Sequence, residues 1–149
     1  MNKTHTFCTT IATAFAIALL IFGGCSTTGS ESGGGSGVKV KLTGDEEVPP
    51  VKTAASGTGS FVIAPDKSVS GSITTTGVDG TAAHIHEGPA GKNGPVIVPL
   101  TKGANNTWSV APGAKLTDAQ YESYKSGNLY VNVHSAANKG GEIRAQLKP

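Results

Sequence analysis

The chain has 149 residues and carries 12 Lys and Arg against 10 Asp and Glu, a formal charge of +2. That balance makes no electrostatic case for nucleic acid, whose binding rests on clustered cations, and the length suits one ordinary domain behind a short N-terminal segment. Both cysteines, Cys8 and Cys25, fall in that segment, so the body of the chain has no disulfide, thiolate metal site or cysteine nucleophile to draw on.

In chain order, residues 1–24 read as a signal segment. "IATAFAIALLIFGG" (11–24) is an apolar run too short for a stable membrane span, and it ends in small residues. With the next residue it gives "IFGGC", which resembles a bacterial lipobox, with Phe22 where Leu is usual. The resemblance implies that Cys25 is lipidated and becomes the new N-terminus. "STTGSESGGGSG" follows, so 25–37 is a lipidated cysteine and a Gly/Ser tether with nothing to bury. By flexible-chain statistics such a tether reaches about 20 Å. The expectation is a domain held by its lipid anchor on a membrane of the cell envelope, at the outer membrane or cell surface.

From Val38 to Pro149 the pattern alternates with the strand period of two. "VKVKLTG" turns Val38, Val40 and Leu42 to one side and Lys39 and Lys41 to the other. "GSFVIAPD", "SVSGSITTTG", "TAAHIHEG", "PVIVPL", "NTWSVAP", "NLYVNVHS" and "GEIRAQL" follow, each bounded by turn residues. The turn spacing predicts an all-β fold of about eight strands, a sandwich or a Greek-key barrel, and an antiparallel Greek-key β-sandwich is the expectation. "EVPP" cannot sit in a central strand and is expected to cover a sheet edge. One helix interrupts the strands over about 118–126. Thr117 and Gln120 form a capping-box pattern at its start and Gly127 suits its end, with Tyr121 and Tyr124 laid on the sheet. Trp108 reads as core or edge packing.

With His5 in the signal segment, three histidines remain, and all lie on predicted strands. In "AAHIHE" the apolar positions are Ala83 and Ile85, so His84 and His86 share the opposite face. In "LYVNVH" Leu129, Val131 and Val133 face the core, leaving Tyr130, Asn132 and His134 outward. In "GEIRAQL" the outward set is Glu142, Arg144 and Gln146. If the two histidine strands pair, His134 comes within about 5–8 Å of the other two at Cβ. Three imidazoles at that separation can converge on one ion. An all-nitrogen set suits Cu(II) or Zn(II), with copper favoured where both are available, and it leaves a coordination position open. Glu87, next to the histidines, is a candidate acceptor that hydrogen-bonds one of them and orients it. Asn132 shares their face in the same supporting capacity, and Glu142 and Arg144 are expected to pair at the surface. The glycines and prolines of 88–95 read as turn chemistry rather than a phosphate loop, because no helix pattern follows them.

"EVPPV", "AHIHEGPAGKNGP", "LYVNVHS" and "GEIRAQL" are similar, in order, to the motifs of the CHRD domain family, with Ala145 where the family usually has Gly. A weaker resemblance runs to Cu,Zn superoxide dismutase, where an H-x-H-E strand and a distant V-H supply copper ligands and a later arginine guides the anion. Carried over, it implies copper on His84, His86 and His134 and an anion-facing Arg144. The bridging histidine, the zinc ligands and the disulfide of that pattern have no counterparts here, which counts against fast dismutation.

The sequence also shows no nucleophile–base pair and no paired carboxylates that would support hydrolysis. The first reading is therefore a membrane-tethered binding module with a three-histidine copper or zinc site, serving metal handling or redox protection, and more a binder than an enzyme. The alternatives are a metal-free structural or adhesion module of the envelope and a dismutase-like oxidoreductase. No protein partner is legible.

Overall fold

The computed structural model describes residues 37–149; the expected signal segment, the lipidation site at Cys25 and the tether up to Ser36 lie outside the described residues. Eight strands form where alternation placed them: β1 (Val38–Thr43), β2 (Ser56–Ile63), β3 (Val69–Thr76), β4 (Gly80–Glu87), β5 (Val96–Lys102), β6 (Thr107–Val110), β7 (Leu129–Ser135) and β8 (Ile143–Leu147). All their pairings are antiparallel. Among the described residues one α-helix, α1 (Asp118–Lys125), lies between β6 and β7. Its start is set locally: Gln120 N donates to Thr117 Oγ1 at 3.2 Å, and Thr117 N donates to Gln120 Oε1 at 2.9 Å. This reciprocal cap satisfies two amides that the first helical turn leaves without partners. Tyr124 joins the core and Tyr121 packs against it half-buried. Among the described residues no helix is long and apolar enough to cross a membrane.

The expected sandwich is corrected to a closed barrel, in the order β1-β2-β3-β6-β5-β4-β7-β8, with β8 returning to β1 through Thr43 and Arg144. The alternation of apolar and polar residues is the same in both architectures. The ladders β3–β6 and β1–β8 make the difference, because they join strands that would be the free edges of two separate sheets. Curvature for closure is available in the β2–β3 hairpin. A Cβ on Gly59 would meet Ser72 O at 2.1 Å, and one on Gly71, whose φ is +129°, would meet Ser60 O at 2.3 Å. The two backbones approach more closely there than any side chain allows. Closure leaves no edge to protect, so "EVPP" covers none; its segment instead folds onto the barrel's outer surface.

The barrel interior is one apolar core, with Leu42, Phe61, Ile73, Ile85, Val131 and Ile143 essentially inaccessible. The outer face over β4, β7 and β8 is not simply wet. Asn93 Nδ2, in the 88–95 loop, donates to Val48 O at 2.8 Å, and Thr53 Oγ1 donates to Glu142 Oε1 at 2.8 Å. These bonds tie two loops to each other and to the sheet. A second buried layer results, in which Glu47, His86, Asn132 and Arg144 are 3, 7, 1 and 1 % exposed. It lies on the side where alternation alone predicts solvent.

Candidate metal centre

β4 and β7 are hydrogen-bonded neighbours, with Ala82 opposite His134, His84 opposite Asn132 and His86 opposite Tyr130. Side chains at i and i+2 of a strand share a face, so His84 and His86 stand in a row on β4, with Asn132 and His134 beside them on β7. One ring nitrogen from each of His84, His86 and His134 lies within 4.8 Å of the other two. Metal–imidazole bonds of about 2.0–2.1 Å place such nitrogens about 3.3 Å apart in tetrahedral geometry. Side-chain movements of about 1 Å close the difference.

Two of the three rings are already fixed. His86 Nδ1 lies 2.9 Å from Gly94 O, and His134 Nδ1 lies 2.9 Å from Lys139 O. A carbonyl can only accept, so each Nδ1 carries the proton and each Nε2 presents a lone pair, the arrangement that backbone carbonyls impose on metal-binding histidines. His84 Nδ1 sits 3.1 Å from His134 Nε2. His84 and His134 are half-buried while His86 is buried, so the trio opens to solvent on one side. Burial, followed by the neighbouring His134 and His86, holds the pKa of His84 below its usual value. Burial does the same to His86, opposed by the hydrogen bond to Gly94. Both rings therefore stay neutral, as ligands must be, to lower pH than a free imidazole.

Behind the trio lies a stack. The His86 and Tyr130 rings are 4.7 Å apart and nearly parallel at 7°, and the Arg144 guanidinium lies 3.4 Å from the Tyr130 centroid. Since β7 runs between β4 and β8, His86 and Arg144 approach the phenol from opposite sides. Arg144 Nη1 donates to Asn93 Oδ1 at 3.3 Å. Its Nη2 donates to Pro89 O at 3.2 Å, Lys92 O at 3.1 Å and Gln146 Oε1 at 3.2 Å. Of the two carboxylates on this face, Glu142 and Glu47, Glu47 is the more deeply buried. Desolvation raises its pKa, against the opposing pull of the Val48 amide, Arg144 and Asn132.

His84, His86, His134 and Asn132 are thus brought together, and the other sequence-derived candidates take different places. Glu87 accepts from Ser123 Oγ of α1; as the residue after His86 it points to the other side of the strand, and no imidazole bonds it. Glu142 bonds Thr53 rather than pairing with Arg144. The hydroxyl of Ser135 first, and then Thr53 and Asn138, hold its carboxyl below the usual range. Arg144 is sealed beneath the 88–95 loop instead of facing an anion. Two contributors were not singled out from sequence. Tyr130 was legible by alternation as sharing the histidines' face. Glu47 carried no signal, because nothing in "GDEEVPP" separates it from Asp45 and Glu46, which are exposed.

By class, then, this is a closed antiparallel barrel bearing on its outer face a three-histidine cluster that can hold a metal ion. The chain belongs to the CHRD domain family, whose model matches residues 38–147. No curated protein and no solved structure matches it significantly.

Proposed function

We propose that this CHRD domain binds one copper ion through His84, His86 and His134, with zinc as the weaker alternative, and that it handles metal in the cell envelope from a lipid tether at Cys25. The observation that carries the reading is the convergence of three ring nitrogens within 4.8 Å, two of the three imidazoles having backbone partners that leave Nε2 unprotonated. Cross-strand histidines with no role in common have no reason to be oriented in this way. The choice of copper rests on the neutral all-nitrogen donors and the Irving–Williams order. The reading as a binder rather than a dismutase rests on Arg144. Its guanidinium is 1 % exposed and spent on four acceptors, so it supplies no anion guidance.

Titration of Cu(II) and Zn(II) into the purified protein tests the site. The expected result is one ion per chain, copper the tighter, with a stabilisation of about 2.7 kcal/mol at a free-metal concentration a hundred times Kd. His134→Ala removes a half-exposed ligand from outside the core. It should weaken copper about 100-fold, equivalent to about 2.8 kcal/mol, and leave the fold intact. Wild-type affinity in that variant would dissolve the shared site. Because burial holds His84 and His86 below the ordinary imidazole value of about 6.5, affinity should hold down to that pH and fall beneath it as protons displace the ion.

The tether is tested separately. Cys25→Ser should release the protein from the membrane fraction and abolish lipid labelling, and membrane association that persists without lipid on the wild type would remove the anchor from this proposal.

A further inference from the structure

His86 and Asn132 come together with unpaired acceptors. The proton on His86 Nδ1 is committed to Gly94 O, so Nε2 of the neutral ring is an acceptor. That Nε2 is buried without a donor, and so is Asn132 Oδ1, although the two side chains lie close enough to act on each other. The other end of the amide fixes its orientation. Asn132 Nδ2 lies on the side of Gly140 O, 3.5 Å away, and of the Glu47 carboxylate, both acceptors. Turning the amide over would set Oδ1 against them. The nearby donor of greatest capacity, Arg144, directs its bonds to Pro89, Lys92, Asn93 and Gln146 and supplies none to Oδ1. A buried carbonyl oxygen and a buried imidazole lone pair with no hydrogen between them form a place for a cation, and folded proteins seldom leave such groups unpaired without a use for them.

The register says which cation site. Asn132 stands directly across from His84, two residues along β7 from His134 and diagonal to His86. It is flanked by all three histidines, and 1 % exposed it cannot turn out to water. We propose that Asn132 Oδ1 is the fourth donor to the metal, making an N3O set closed from beneath by this amide and open on the solvent side. The inference rests on the three-histidine metal reading and specifies the donor that the reading leaves open. A neutral amide oxygen adds no charge, so the bound ion keeps its full charge beside Arg144. Glu47, on the far side of the same amide, pulls on Nδ2 and strengthens Oδ1 as a donor.

The test is copper titration of the full-length protein with Asn132→Leu and Asn132→Asp variants, read with the Cu(II) paramagnetic resonance spectrum and thermal melts. Asn132→Leu keeps approximate volume and removes the oxygen; copper should bind about tenfold or more weakly, with a changed parallel hyperfine splitting. Asn132→Asp keeps the oxygen and puts a second buried carboxylate beside Glu47. Without metal its melting temperature should fall, and with copper the gain should exceed that of wild type. A side chain that only positions His86 would give no such rescue. A folded Asn132→Leu that binds copper within twofold of wild type with an unchanged spectrum overturns the fourth donor while leaving the histidine site standing. If Asn132→Leu does not fold, Asn132→Asp decides, and copper binding weaker than wild type there overturns it too. If the wild type takes up no stoichiometric copper, the histidine reading fails and this inference fails with it.

Discussion

Arg144→Met should lower the stability of the domain by about 3–5 kcal/mol, because removing the guanidinium strands several buried acceptors at roughly 1–3 kcal/mol each. Arg144 is the largest of the fully buried side chains. Its guanidinium holds the 88–95 loop by the carbonyls of Pro89 and Lys92 and the amide of Asn93, and it lies flat on Tyr130. It is also the cation whose field acts on buried Glu47. Methionine keeps much of the volume, so the loss is electrostatic rather than a cavity. For a domain near 100 residues about 4 °C of melting temperature goes with each kcal/mol, so a fall of more than about 10 °C is expected. Arg144→Lys should recover only part of this, since an ammonium cannot present a planar fork to several acceptors. Combining Arg144→Met with Glu47→Gln should cost less than the two changes separately, because the carboxylate that loses the field of Arg144 in the first is made neutral by the second. A shift under about 3 °C for Arg144→Met, or strict additivity with Glu47→Gln, would show that the outer layer does not depend on this residue.

Local rules carried much of the architecture. The strand period placed all eight strands to within a few residues, and the same period put His84, His86, Asn132 and His134 on one face, because that property belongs to each strand by itself. The capping box at Thr117 and Gln120 was legible for the same reason: four consecutive residues satisfy it. The choice of a closed barrel over a sandwich was not legible. It depends on pairings such as Ile73 with Trp108 and Thr43 with Arg144, and inward and outward alternation is blind to which strand lies alongside.

The character of the outer face was hidden for a related reason. Alternation says that Arg144 points away from the core, but whether that direction ends in water depends on where the 44–55 and 88–95 loops come to rest. Loops built from Gly, Pro and Asn give no periodic signal of that. Glu87 is a different case. Adjacent positions on a strand point to opposite sides, so nearness to His86 in sequence was itself a reason to expect Glu87 elsewhere, and it bonds Ser123. The histidine face was legible in the strands, with Tyr130 and Arg144 outward by the same alternation, whereas Glu47 and the supporting roles of Tyr130 and Arg144 depend on the tertiary structure.

Gly94→Ala should both destabilise the domain and loosen the metal. A Cβ at this position would lie 1.7 Å from Glu87 O and 2.8 Å from Glu87 C. Both are backbone atoms of β4, held by pairing of Glu87 with Leu129 of β7, so the strand cannot give way and the loop must lift. Lifting it strains three bonds: His86 Nδ1 to Gly94 O at 2.9 Å, Gly94 N to Tyr130 Oη at 3.1 Å and Glu87 N to Pro95 O at 3.0 Å. Overpacking of this kind costs about 1–3 kcal/mol, and each lost bond adds about 0.5–1.5 kcal/mol, so a total of about 3–7 kcal/mol is expected. The functional consequence follows from the same carbonyl. Released from Gly94 O, the His86 ring is free to rotate and to exchange tautomers, and copper should bind about 10–100-fold more weakly, as when a metal-binding histidine loses its outer partner. Gly91→Ala is the control within the same loop. Its φ of +76° makes alanine uncomfortable by about 1 kcal/mol, yet nothing lies within 4 Å of the added carbon, so copper affinity should be unchanged. Thermal melts and copper titrations of the two variants side by side separate the effects. Wild-type copper affinity in Gly94→Ala would mean that this carbonyl does not set the ring that the site depends on.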